Sequence, residues 1–273
     1  MVQMNYNNKN EVKHLPHYLV KKIKNKRLIF TISTGRSGTG YLARILNLLP
    51  GVNAKHEPEP KFSNLLRKVQ TKPELALHFW ILQKLPAIAL LKEKIYIETS
   101  HVFGKGFLEP LIKLEIIPDI IILKRDYRKV ASSLYNLNTI PGRTLEGLNF
   151  LLNPDDPYTN SPQNWRQLND YQLCYWYCLE MNRRMKIYEE LILENRGKVI
   201  HAENIFKRSS FKNLIQQLEI DPINNNFWGD YNKIYQQKVN SKIKQKNTNR
   251  TKTLGDLDIL ENQVCNRLEF CKV

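Results

Sequence analysis

Five side chains in this sequence carry chemistry that their surroundings do not. Arg36 lies inside the glycine-rich stretch TGRSGTGYL (34–42), and Arg125 closes an apolar run, with Ser133 eight residues further on. Glu57 stands in KHEPEP (55–60), between His56 and Glu59, and His101 in ETSHVF (98–103). Guanidinium groups hold anions through two-pronged, charge-assisted hydrogen bonds. A carboxylate or an imidazole within reach of a hydroxyl can take its proton. The combination suits an anion-binding site with a base beside it.

Gly35 and Gly40 are five apart, as in the first half of a phosphate-binding loop. Between them Arg36, Ser37, Gly38 and Thr39 offer backbone N–H groups, and a helix starting there adds its positive end. Where a nucleotide triphosphatase places lysine and a magnesium-binding hydroxyl, this chain has Tyr41 and Leu42. That speaks against metal-dependent phosphoryl transfer and leaves a metal-free anion. Taken alone, the glycines would also serve any tight strand-to-helix turn. The second segment, LKRDYRKVASSLY (123–135), adds to the signal, since Arg125 and the hydroxyl of Ser133 could hold one phosphate between them. The competing arrangement pairs Arg125 with Asp126. Together the two segments predict a ligand with two separated anionic groups.

These residues need a frame. RLIFTIS (27–33), KIYIETS (94–100), DIIILKR (119–125) and KVIHAE (198–203) read as strands, the third almost wholly Ile and Leu, as when both faces are covered. Helical periodicity appears over 41–49, over 63–92 with breaks near Pro73 and Pro86, over 105–116, 128–137 and about 164–196. Residues 52–60 read as a connection and 140–163 as a loop. Strands alternating with helices predict a three-layer α/β/α fold around a parallel sheet, with ligands gathered at the carboxyl ends of the strands. Residues 28–273 are expected to form one domain, preceded by a polar, basic lead-in over 1–27.

The 273 residues carry a formal charge of +16, which favours anionic partners. VKKIKNKR (20–27) and KIKQKNTNRTK (242–252) concentrate part of it. Solvated surface accounts for such runs, and no groove-reading helix or aromatic alternation accompanies them, so nucleic acid is not favoured. Cys174, Cys178, Cys265 and Cys271 form no CxxC pair; Cys174 and Cys178, four apart among aromatics, suit a helix core. No disulfide framework and no metal motif point to a reducing, cytoplasmic setting. The N-terminus has no apolar signal core, and no run reaches the ~20 apolar residues of a membrane span. Tyr171, Tyr175, Trp176 and Tyr177 read mainly as core, with one or two free to line an acceptor pocket.

The two motifs resemble those of the P-loop sulfotransferase family, in a style closest to its Golgi-type and bacterial members. TGRSGTGYL is similar to the family's 5′-phosphosulfate loop, and LKRDYRKVASSLY to its 3′-phosphate segment, including the Arg-to-Ser spacing. The resemblance covers residues 35–140 and implies 3′-phosphoadenosine 5′-phosphosulfate (PAPS) as donor, with no metal. It implies that Arg36, Ser37, Gly38, Thr39, Gly40 and Tyr41 wrap the phosphosulfate. Arg36 would also neutralise charge on the leaving group, and Arg125 and Ser133 would hold the 3′-phosphate. Glu57 stands about where Golgi-type members carry a catalytic glutamate, and His101 close to where cytosolic members carry a catalytic histidine; Glu57 is the preferred base. The acceptor would be a small molecule, carbohydrate or peptide. Two features depart from the cytosolic pattern. Thr99 replaces the lysine two before the histidine, and the C-terminal Arg-Lys-Gly segment has no counterpart unless NSKIKQKNTNR (240–250) acts as a basic flap. A nucleotide-binding module without turnover and a P-loop small-molecule kinase are the alternatives.

Overall fold

The computed structural model describes residues 15–221, 226–236, 251 and 254–268. The proposed basic flap over 240–250 therefore lies outside the described residues.

The chain runs α1 (His17–Lys24), β1 (Arg27–Ser33), α2 (Thr39–Leu46), β2 (Val52–Lys55), α3 (Leu66–Thr71), α4 (Glu74–Phe79), α5 (Leu85–Ala89), β3 (Ile95–Glu98), α6 (Leu108–Lys113), β4 (Asp119–Lys124), α7 (Tyr127–Asn136), α8 (Leu145–Phe150), α9 (Asp170–Glu194), β5 (Val199–Glu203), α10 (Arg208–Leu218), α11 (Phe227–Gln236) and α12 (Leu257–Asn266). The strands form one parallel sheet in the order β2-β3-β1-β4-β5. Successive strand residues feed opposite faces. Leu28, Phe30 and Ile32 of β1 enter a core shared with α6, α7 and α9, whereas Ile29 joins one built with α2, α10 and α11. Helices cover both faces, so this is the expected three-layer α/β/α sheet.

The sheet has five strands rather than the four read from hydrophobic runs. Val52–Lys55 is an edge strand with only Val52 and Ala54 buried. Two apolar residues in alternation are too short a signal to separate from a loop. The stretch 140–163 contains α8, capped by Thr144, whose side chain accepts from the Gly147 N–H. Within the lead-in, α1 docks Leu19 and Ile23 on the core while Lys21, Lys22 and Lys24 sit in its last turn, at the negative end of the helix. The predicted break at Pro86 takes a particular form. The helix widens to a π-turn over Trp80–Lys84, which accommodates a proline that has no N–H and crowds the carbonyl four residues back.

Register sets the site. Phe30 pairs with Glu98 at the end of β3, so Thr99, Ser100 and His101 continue beside the last residues of β1. Thr31 Oγ1 donates to the Ser100 carbonyl at 3.3 Å. Cys174 and Cys178 are buried in the core, as their spacing suggested.

Candidate active site

Segments following all five strands meet around one cavity of about 500 Å³. The β1–α2 loop and the first turn of α2 contribute residues 34–41 except Ser37; β2 leads to His56 and Glu57, β3 to His101, β4 to Arg125, and β5 to Phe206. The remaining wall is formed by the end of α7 and by α8, with Leu134, Leu137, Glu146 and Phe150.

The glycine loop adopts backbone shapes that glycine favours: φ is 74° at Gly35 and 96° at Gly38. Arg36 is left-handed as well, at φ 53°. Loop hydroxyls are spent internally. Thr34 Oγ1 donates to the Gly35 carbonyl at 2.9 Å, and Ser37 Oγ donates to the same carbonyl at 3.1 Å. From behind, Tyr177 donates to the Thr34 carbonyl at 2.8 Å, and Thr99 Oγ1 donates to the Thr39 carbonyl at 2.9 Å. The loop is thus held rigid with α2 starting at Thr39, and the first-turn N–H groups of a helix have no acceptor within it.

Arg36 is where the two sequence motifs join. Its Nε donates to Ser133 Oγ at 3.1 Å, and the Arg125 guanidinium donates to its backbone carbonyl. Asp126 does not pair with Arg125; it caps α7 by accepting from the Lys129 N–H at 2.8 Å. Among the described residues no carboxylate forms an ion pair with Arg36 or Arg125. Burial lowers the Arg36 pKa, and the nearby Arg125 charge lowers it further. Two guanidiniums without a counter-ion create a strongly positive end to the cavity. Ser133 and Ser37 stand behind that wall rather than on it.

Two base candidates line the same cavity, in contact with each other. Glu57 Oε1 lies 3.5 Å from His101 Nε2 and accepts from Ser100 Oγ at 3.4 Å. Glu57 is in the left-handed region at φ 45°, and its loop is tied down by a buried ammonium: Lys84 Nζ donates to the carbonyls of Pro58 at 3.3 Å and Pro60 at 2.8 Å. The same ammonium pairs with Glu98 at 2.7 Å, and Glu98 accepts from the Tyr96 hydroxyl at 2.6 Å. Burial pushes the Glu98 carboxyl up to about 7, against the pull of Lys84. Glu59 faces away, paired with Lys61 at 3.2 Å and largely exposed.

His101 is held neutral, chiefly by burial, with the Lys105, His56 and Arg36 charges acting in the same direction. Its 3.5 Å approach to Glu57 is therefore a contact between a neutral ring and a carboxylate rather than an ion pair. His56 Nδ1 donates to the Thr99 carbonyl at 2.7 Å, since a carbonyl can only accept. None of Tyr171, Tyr175, Trp176 and Tyr177 lines the cavity. Among the described residues no group of three or more His, Cys, Asp or Glu side chains is placed to hold a metal ion.

Several site residues escaped the sequence reading. Lys84 and Lys105 look like any surface lysine in a basic chain, and nothing local marks them as buried. Phe206 and the α8 residues sit far from either motif in the chain.

No protein-family model matches this chain, and no curated protein sequence matches it. Among solved structures it is similar to the sulfotransferase domain from the Synechococcus PCC 7002 olefin synthase, at 16% identity over 94% of this chain and 96% of that one, with a TM-score of 0.48.

Proposed function

We propose that this protein is a PAPS-dependent sulfotransferase that transfers a sulfuryl group to an acceptor hydroxyl or amine without a metal. The observation that carries the reading is the pair of guanidiniums, Arg36 and Arg125, which form no ion pair with a carboxylate of the described residues and line one cavity with Glu57. The loop amides and the start of α2 would bind the phosphosulfate, and Arg125, with Ser133 behind Arg36, the 3′-phosphate. Phe206, about half exposed and packed on Tyr41 with ring centroids 4.9 Å apart, offers a face for the adenine ring.

In the proposed reaction the acceptor oxygen or nitrogen forms a new bond to sulfur as the bond from sulfur to the phosphate oxygen breaks in line with it. The acceptor proton goes to Glu57. The charge left on the departing phosphate meets Arg36 and the loop amides. Glu57 is the preferred base because Oε2 takes no hydrogen bond from a described residue, whereas both Nδ1 and Nε2 of His101 already face protein groups. A kinase reading lacks support in the donor set: Tyr41 and Leu42 are buried in the core where the metal-binding hydroxyl and lysine would stand. A binding module without turnover is distinguished by experiment. Titration calorimetry with adenosine 3′,5′-bisphosphate in EDTA should give micromolar binding, and labelled PAPS with a panel of hydroxyl and amine acceptors should give transfer. Binding without transfer to any acceptor would favour the module. No metal-free binding would sink the proposal.

A further inference from the structure

Lys105 is wholly buried, yet it lies beside the cavity rather than on it and forms no ion pair with a carboxylate of the described residues. Its Nζ is 3.0 Å from His101 Nδ1, donates to the Phe150 carbonyl at 2.6 Å, and sits 5.1 Å from the centre of the Tyr177 ring. An ammonium in such a place is costly unless its donors are used. Here each donor meets a group that bears on the site. Phe150 ends α8, which walls the cavity, and His101 faces Glu57 on its other edge.

We infer that Lys105 is a positioning residue that fixes the tautomer of His101, so that Nδ1 accepts from Lys105 and Nε2–H is turned to Glu57. The two edges of the ring make this assignment jointly. On the Nε2 edge, the oxygen of a carboxylate at 3.5 Å suits an N–H better than a bare lone pair. On the Nδ1 edge, an amine that already donates to Phe150 still has another N–H to give. The reverse tautomer would force Lys105 to act as an acceptor while Glu57 faced a lone pair. Burial keeps the Lys105 pKa well below its usual range, with Glu57 opposing, so the donor role does not depend on a full charge: ammonium and amine both have N–H to spare.

The consequence for chemistry rests on the reading of Glu57 as the base. With His101 Nε2 3.5 Å from Oε1 and Ser100 Oγ donating to the same oxygen, Oε2 is left to receive the acceptor proton. Because Lys105 also grips the carboxyl end of α8, the wall that contacts an acceptor and the ring that orients the base share one tether.

The test is nitrogen NMR of the imidazoles in the full-length protein, with adenosine 3′,5′-bisphosphate present as the probe. In the wild type the Nε2 of His101 should resonate as protonated and Nδ1 as bare. Lys105→Met, which keeps the chain volume but removes the donors, should change the tautomer ratio at least fivefold. Lys105→Gln, which keeps an N–H donor, should restore much of it. A Nδ1–H tautomer in the wild type, or an unchanged ratio in Lys105→Met, would overturn the inference. The wild-type spectrum decides even if Lys105→Met does not fold. The outcome is separate from the sulfotransferase reading, since absence of sulfate transfer would count against that reading and leave the tautomer as measured.

Discussion

The Arg125 guanidinium donates to the backbone carbonyl of Arg36, so the end of β4 is fastened to the glycine loop after β1 before any ligand arrives. The Arg36 side chain returns the contact by reaching Ser133 on α7. Two segments 89 residues apart in the chain become one positively charged wall.

Arg125→Ala should weaken binding of adenosine 3′,5′-bisphosphate at least tenfold, about 1.4 kcal/mol. Titration calorimetry in EDTA reads this directly. The loss should shrink as salt rises, because screening erodes the contribution of an exposed charge in the wild type. Equal affinities in the two proteins would mean that the guanidinium has no share in the anion.

Glu57→Gln should keep the nucleotide affinity within about twofold while turnover falls by on the order of a hundredfold or more. The carboxylate touches His101 and Ser100 rather than Arg125, and its amide analogue cannot take a proton. Retained turnover in Glu57→Gln, with loss in His101→Ala, would transfer the base role to the imidazole.

Gly38→Ala should lower both the melting temperature and nucleotide affinity. At φ 96° a side chain is strained whatever the space, and a Cβ there would come 2.9 Å from the Phe206 ring and 3.1 Å from Ile205. The expected cost is about 1–3 kcal/mol. Gly51→Ala, beyond the far end of α2 and also at positive φ but with nothing within 4 Å of its Cβ, should leave nucleotide binding unaffected.

Glu98 predicts a pH dependence of stability with a definite sign. Its carboxyl is raised from 4.5 to about 7 in the folded protein. Between those values the folded state binds more protons than the unfolded state, so this group's contribution falls as pH rises through the window and is fully lost above it. Melting curves of wild type and Glu98→Gln should therefore diverge in slope over this range, with the variant lacking the decline. Parallel curves would refute the assignment. Lys84→Ala, which strands the Glu98 charge, should be far more damaging than Glu98→Gln.

The core strands and the order of strand and helix were legible in the residues, because each signal is local. A run such as DIIILK needs both faces covered, and a glycine pair at a strand-to-helix junction needs a tight turn. The edge strand Val52–Lys55 was not legible, for its pairing with β3 comes from the sheet and not from its own apolar content. Helix α8 was hidden inside a polar stretch for a similar reason, its capping residue Thr144 and six residues giving too short a period to read.

For the site, the sequence by itself determined which groups were available: two arginines, a glycine-rich loop, a carboxylate and an imidazole, spaced to fall beyond successive strands. Only the tertiary structure decided their relations. The parallel register brought Glu57 against His101 and Arg125 against Arg36, pairs whose members are far apart in the chain. Burial then made Lys84 and Lys105 into tethers and raised the Glu98 carboxyl toward neutrality. Those properties come from desolvation and from partners on other elements, and neither is written in the identity of a lysine or a glutamate.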